Sequence, residues 1–319
     1  MNMYMPILLA DVKTWFNAMW YPPVYLAATT AFLIVVLVLT RVAFPKLYAL
    51  IWVTAKEGMN QTLFTALLGF GVALLLFLPY IPFNTLGDDL KMHMSVGLTF
   101  IKIPAILMVL WLSGVSIAEE IEGKTALMLL SKPVSRVQLI LGKFFGILVP
   151  VFVMYIVLGG LFLGTTGYKV VHNARESCEV EPETQDCVDA MVNITPSIAM
   201  NFLETATMAA VAVALSTRLP MLANITCCLS IFLLGHLIQY LPQYVSQMMY
   251  GGKSVIIDFI TNVMAAVLPV LGHFSIESSI GANQAVPLTY LGFASLYCVL
   301  YCVAALVVAL LMFEDRDLA

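Results

Sequence analysis

The sequence predicts an all-α integral membrane protein, a polytopic helical bundle with six core transmembrane helices plus one extra N-terminal helix. The chain has 319 residues, of which 61% are hydrophobic and 11% are charged. Soluble domains are about 45–50% apolar and about 25% charged, and the mean hydropathy here is +0.96. Seven apolar runs reach the length of roughly 20 residues that a spanning helix needs. These runs are Val24–Ala43, Thr62–Tyr80, Gly97–Ile117, Ile140–Gly164, Ser197–Ser216, Met221–Leu241 and Leu288–Phe313.

Residues 1–45 are predicted to form an interfacial segment followed by the extra transmembrane helix. Trp15, Trp20 and Tyr21 precede the first apolar run, as in the aromatic belts that mark membrane–water interfaces. The next stretch, 45–60, interleaves aromatic and aliphatic residues with charged ones. That pattern predicts an amphipathic helix lying along the inner leaflet before the second span.

The distribution of Lys and Arg predicts an external N-terminus and a cytoplasmic C-terminus, because basic residues are retained on the cytoplasmic side. Seven spans in this orientation place nine basic residues inside and six outside. Acidic residues collect in 165–196, which is predicted to be an extracytoplasmic loop. Cys178 and Cys187 in this loop have a spacing that permits a disulfide if the compartment is oxidising. An eighth apolar run, Val255–Leu271, is shorter and contains Pro269, so it is either a span or a helix at the outer surface.

A polar segment separates the third and fourth runs. It reads EEIEGKTALMLLSKPVSR over residues 119–136 and is followed by Gly142-Lys143. Its three leading carboxylates suit a helix N-terminus, where exposed N–H groups favour negative charge. Pro133 would end that helix, and Ser135 and Gln138 have the spacing of a capping box for the next one. A polar helix and turn between two spans forms a surface for another protein.

This segment resembles the signature of ABC type-2 transporter permeases, which have an acid-x-acid pair, a Thr, Leu-Leu, a Pro, Ser-Arg and a later Gly-Lys. The Leu268-Pro269 turn before His273-Phe274 and the Phe-Glu-Asp-Arg-Asp-Leu ending agree with it. The resemblance implies that residues 46–319 form a permease domain whose coupling segment, 119–143, docks on a separate cytoplasmic ABC ATPase. The implied docking residues are Glu119, Glu120, Glu122, Thr125, Leu129, Leu130, Pro133 and Arg136.

The chain is not expected to hydrolyse ATP itself. Gly123-Lys124-Thr125 is not a phosphate-binding loop, because G-x-x-x-x-G-K-[ST] requires glycine where Ala118 stands. We therefore expect no enzyme activity and no cofactor in this chain, with ATP and Mg²⁺ bound by the partner subunit. The resemblance also implies an exporter that works as a homodimer or heterodimer of permeases in the cytoplasmic (inner) cell membrane. Metal-ligand spacing and a basic, aromatic-rich patch are absent, so neither a metal nor a nucleic acid is expected.

Three ionisable residues lie inside predicted spans at similar depth: Lys102, Glu204 and His236. Such residues cost about 2.5–3.5 kcal/mol each on insertion scales and are rare without a function or a partner. They are predicted to form an intramembrane polar cluster, which either lines the substrate route or is an ion pair that holds helices together. Two alternatives to a permease remain: an ion-coupled carrier that uses Glu204, and a non-transporting scaffold that anchors a cytoplasmic protein.

Overall fold

The computed structural model describes residues 13–83, 89–119, 135–176, 182–238, 263–264, 267–276 and 286–314. These residues form eight α-helices and no strand. The helices are α1 (Tyr21–Ala43), α2 (Pro45–Met59), α3 (Thr62–Phe77), α4 (Asp89–Ser113), α5 (Arg136–Glu176), α6 (Thr184–Ser216), α7 (Met221–Leu237) and α8 (Leu288–Glu314). A 3-10 helix, Leu78–Tyr80, follows α3, and a π-helix, Gly114–Glu119, follows α4. A second 3-10 helix spans Leu271–Phe274.

The predicted all-α membrane bundle is confirmed. Among the described residues, six helical segments are long and apolar enough to cross a membrane, and α7 is a shorter apolar helix of 17 residues. The first of the six begins before α1, at Lys13, so a helix long enough to span the membrane is present at the N-terminal position predicted for one. Of the eighth apolar run, only residues 263–264 and 267–271 are described.

Several helix ends follow from local sequence. Pro22 occupies the first turn of α1 and Pro45 begins α2, where the missing N–H of proline costs nothing. The predicted capping box at the start of α5 is confirmed. The Gln138 N–H donates to Ser135 Oγ, and the Ser135 N–H donates to Gln138 Oε1, each at 3.2 Å. This reciprocal pair fixes where α5 starts.

Most of the stretch predicted as an extracytoplasmic loop, 165–196, is helical. Helix α5 has 41 residues and continues to Glu176, and α6 begins at Thr184. The stretch is polar, and hydropathy alone does not distinguish a polar helix from a loop. Pro196 is accommodated inside α6. At 1.5 Å per residue, α5 is about 60 Å long, roughly twice the thickness of the hydrocarbon core.

Helices α4, α5 and α6 form the centre of the bundle, and α1 runs antiparallel to α5 along its edge. Trp15 Nε1 donates to the Gly164 carbonyl at 3.1 Å, and further along the pair the Phe32 and Phe152 rings lie 6.1 Å apart. Helix α2 also packs on α5. A Cβ at Gly146 would lie 2.5 Å from Thr54 Cβ, so glycine is what allows this close approach.

Candidate functional site

Lys102 on α4, Glu204 on α6 and His236 on α7 meet inside the bundle. Lys102 Nζ lies 3.2 Å from Glu204 Oε2, and His236 Nε2 lies 3.0 Å from Glu204 Oε1. Glu204 is 0% exposed and Lys102 is 6% exposed, whereas His236 is partly exposed. We call these three side chains the ionic centre. It connects three helices through a single carboxylate.

The two oxygens of Glu204 have different surroundings. Oε2 accepts a hydrogen bond from Lys102. Oε1 is close to the His236 ring nitrogen, but the contact does not have the geometry of a hydrogen bond, and no other described residue donates to this oxygen. The His236 ring also makes an edge contact with the Phe232 ring of the same helix, with ring centroids 4.7 Å apart. Oε2 is thus held in a hydrogen-bonded ion pair, whereas Oε1 has a close contact with an imidazole ring.

A network of hydrogen bonds lies next to the ionic centre and centres on Tyr155 of α5. The Tyr155 hydroxyl donates to the Asn201 carbonyl at 2.9 Å and lies 2.8 Å from Thr205 Oγ1. Asn201 Nδ2 donates to the Leu98 carbonyl of α4 at 3.2 Å. Sequence reasoning missed Tyr155. The available signal was a phenol in the middle of an apolar run, because buried Tyr hydroxyls usually find a partner.

A second polar contact joins α4 and α7 close to the π-helix. Asn224 Nδ2 lies 3.1 Å from Ser113 Oγ, and Cys228 Sγ donates to Asn224 Oδ1 at 3.3 Å. Ser113, Asn224 and Cys228 are buried. Sequence reasoning missed this contact as well, although an Asn inside an apolar helix was a signal that it needs partners.

The predicted docking residues lie at the two ends of a stretch that the structure does not describe. Glu119 is the last residue of the π-helix, and Arg136 is the first residue of α5, with an exposed side chain. Glu120, Glu122, Thr125, Leu129, Leu130 and Pro133 lie outside the described residues. π-Helices are rare and occur often at functional sites, so the π-helix at the end of α4 is itself an indication of a functional site.

Charged residues also pair at the opposite end of α5. Lys169 is 1% exposed, and its Nζ lies 3.6 Å from Glu176 Oε2. His93 stacks on Phe162 at 5.9 Å, and neither of its ring nitrogens has a hydrogen-bond partner in the described part of the chain. Cys187, near the start of α6, is buried and has no disulfide partner among the described residues. Its suggested disulfide partner, Cys178, lies outside the described residues.

Chemically, the ionic centre can hold three helices together or exchange its contacts when those helices move. A search of the described residues finds no group of His, Cys, Asp or Glu that could hold a metal ion. Each contact of Glu204 links α6 to another helix, so a relative movement of α4 or α7 must break or remake a contact with this carboxylate. The contacts made at the ionic centre therefore depend on how the three helices are arranged.

Comparison with known families gives one match over nearly the whole chain. A family model described as ABC-2 family transporter protein covers residues 28–318. A comparison with curated proteins finds no match. The matched range includes all eight helices except the first turns of α1.

Proposed function

The chain belongs to the ABC-2 family of transporter proteins, and we propose that it is the permease of an exporter driven by a separate cytoplasmic ATPase. The observation that carries this proposal is the family match over residues 28–318 of a multi-pass membrane protein. In this proposal the ATPase binds ATP and Mg²⁺, and the permease works as a homodimer or heterodimer in the cytoplasmic (inner) membrane. The dimer is inferred from the family resemblance.

We place ATPase docking on residues 119–136. Two features of the described chain support this assignment. Helix α4 enters the segment through a six-residue π-helix, and α5 leaves it through the Ser135–Gln138 capping box. The segment is therefore joined to two defined helix ends. In this proposal, a force that the ATPase applies to the segment is passed to α4 and α5.

Helix α4 connects the docking segment to the ionic centre. Lys102 lies 11 residues before Ser113, where α4 ends, which is about 16 Å along the helix axis. Near that end, Asn224 joins α4 to α7 through Ser113. Movement of α4 would thus displace Lys102 relative to Glu204. We propose that exchange of these contacts accompanies alternating access.

A second candidate function is an ion-coupled carrier that uses Glu204. The observation that favours it is Glu204 Oε1, a buried oxygen without a hydrogen-bond donor among the described residues. This function predicts flux that depends on pH and needs no nucleotide. ATP-dependent flux that is unchanged in Glu204→Gln would exclude it.

Docking is tested by purifying the intact protein with its ATPase and measuring binding and ATP hydrolysis. Charge reversal at the docking segment (Glu120→Lys, Glu122→Lys and Arg136→Glu) should lower ATPase binding by about tenfold or more. Glu57→Lys, at an exposed position on α2, is the matched control and should bind normally.

Unchanged binding in the charge-reversed protein would contradict the docking assignment, as would labelling of residues 119–136 from the external side. An ATPase that binds but is never stimulated would favour the scaffold function instead. Loss of both binding and stimulation in the variant, with the control intact, supports the proposed function.

A further inference from the structure

A lateral cavity of about 250 Å³ lies between α1, α2 and the N-terminal half of α5, and Phe202 of α6 also lines it. Its lining is apolar apart from Thr40, whose hydroxyl donates to the Leu37 carbonyl of its own helix at 2.9 Å. The cavity is open toward the side of the bundle, since Phe32, Val36 and Phe145 are 62%, 39% and 43% exposed. Within the described part of α1, Pro22 is the only fully buried residue of the helix.

The cavity has the size and chemistry to hold a length of alkyl chain. Apolar cavities of about 150 Å³ already bind benzene, and pockets for drug-sized ligands start at about 300 Å³. A volume of 250 Å³ falls between these values. The lining is apolar and opens on the side of a helix long enough to span a membrane, where lipid tails are as apolar as the lining itself, so molecules with hydrocarbon chains fit this cavity.

Two basic residues follow or precede lining residues of the cavity in the chain, although neither lines it. Thr40 and Leu47 line it, and the residues next to them in the chain are Arg41 and Lys46, both exposed. The Arg41 guanidinium carbon lies 5.9 Å from the centre of the Tyr48 ring. We call residues 40–48 the α1–α2 corner. An arginine forms bidentate hydrogen bonds with phosphate, and each basic residue near an anionic membrane surface contributes about 1 kcal/mol of attraction.

We propose that the lateral cavity binds one acyl chain of an anionic phospholipid whose phosphate lies at Arg41 and Lys46. The cavity selects the chain by shape, and the corner selects the headgroup by charge. The bound lipid fills the space between α1 and α5 that protein side chains leave open. This assignment concerns the flank of the bundle and does not depend on the proposed ATPase coupling.

Native mass spectrometry of the intact purified protein tests the proposal, with phosphatidylglycerol and phosphatidylcholine as the two probes. The wild type should retain one phosphatidylglycerol per chain at least about tenfold more tightly than phosphatidylcholine. Val36→Trp fills the cavity and should weaken phosphatidylglycerol binding by about tenfold or more. Leu39→Trp is the matched control, because Leu39 is 63% exposed and does not line the cavity.

The headgroup is tested separately with Arg41→Gln combined with Lys46→Gln. This variant should bind both lipids with equal affinity, because the cavity remains while the charges are gone. If Val36→Trp does not fold, Val36→Cys is alkylated after purification with a bulky maleimide, and Leu39→Cys is treated in the same way as its control.

Equal lipid retention in the blocked variant and its control overturns the cavity assignment. Equal affinity of the wild type for both lipids overturns the anionic headgroup. Cross-linking of two chains through Val36→Cys, in place of lipid retention, shows that a second copy of the chain covers the cavity and also overturns the proposal.

Discussion

The contacts that hold α4, α6 and α7 together at the ionic centre differ in kind from those between α1 and α5. At the ionic centre, α4, α6 and α7 meet around a fully buried carboxylate, through an ion pair of 3.2 Å with Lys102 and a contact of 3.0 Å with His236. Along α1, the corresponding contacts are apolar, apart from a few hydrogen bonds such as that from the Tyr25 hydroxyl to the Tyr155 carbonyl at 3.3 Å. Apolar contact between helices gains little over contact with lipid tails. The contact between α1 and α5, which we call the flank, is therefore weaker than the contacts among α4, α6 and α7 at the ionic centre.

This difference indicates which helices can move gradually and which can move only between discrete arrangements. An apolar helix can slide against its neighbour at small cost, because lipid replaces lost contacts. Lys102 cannot leave Glu204 in that way, since an unpaired buried charge is expensive. Movements of α4, α6 and α7 are thus expected to occur between discrete arrangements, while α1 follows α5.

The largest expected effect is at the ionic centre. Lys102→Met leaves the Glu204 carboxylate without its cation, and breaking a buried pair in this way costs about 3–5 kcal/mol. The thermal unfolding midpoint of the purified protein should fall sharply. Adding Glu204→Leu to Lys102→Met should recover much of the loss, because both charges are then removed.

The exposed residue Lys56 on α2 provides the control, and Lys56→Met should change stability by less than about 0.5 kcal/mol. If the single and double variants have the same unfolding midpoint, the Lys102–Glu204 pair does not contribute the stability assigned to it. Glu204→Gln tests whether the ionic centre serves stability or transport. A variant with a lower unfolding midpoint and unchanged flux would show that the ionic centre is a purely structural ion pair.

The next largest effect is expected where α2 packs on α5. In Gly146→Ala, the new Cβ would lie 2.5 Å from Thr54 Cβ and 3.2 Å from the Ile51 carbonyl oxygen. Backbone and side chain must both move, and such overpacking costs about 1–3 kcal/mol. Gly292→Ala in α8 is the control, because its Cβ meets nothing within 4 Å. A loss of stability in both variants would show that the glycine at 146 has no special packing role.

The contact among Lys102, Glu204 and His236 was predictable from sequence because charged groups in a bilayer must find partners. The ends of the helices were not predictable in the same way. Hydropathy reports which residues face lipid, whereas α6 begins at Thr184 because Glu183 and Asp186 form a capping box. In the same way, Lys169 lies in the stretch assigned to a loop but is a buried residue of α5, which continues to Glu176.

Amphipathicity predicted the helix at 45–60 but not its partner. Helix α2 buries Ile51, Ala55 and Gly58, and the surface it packs on includes Gly142 and Gly146 of α5. Nothing in the sequence of α2 specifies those glycines. Contacts between helices distant in sequence depend on shape, which composition and periodicity do not encode. The lateral cavity was missed for the same reason.

A smaller effect is expected at the contact between α4 and α7. Asn224→Ala removes an amide that bridges Ser113 and Cys228, and the loss of such hydrogen bonds costs about 1 kcal/mol. Thr226→Ala on the exposed side of α7 is the control, since Thr226 bonds only to carbonyls of its own helix. Equal unfolding midpoints in the two variants would contradict a connecting role for Asn224.

The smallest effect is expected at the contact between α1 and α5. It is measured by comparing two variants, Tyr25→Phe and Tyr155→Phe. Tyr25→Phe removes one hydrogen bond of 3.3 Å between α1 and α5, and interhelical hydrogen bonds in membranes contribute about 0.6 kcal/mol on average. Tyr155→Phe removes the shorter contacts of 2.9 and 2.8 Å to α6 and should lower the unfolding midpoint further. If Tyr25→Phe is the more damaging of the two, α1 is bound as firmly as the central helices, and the distinction between centre and flank does not hold.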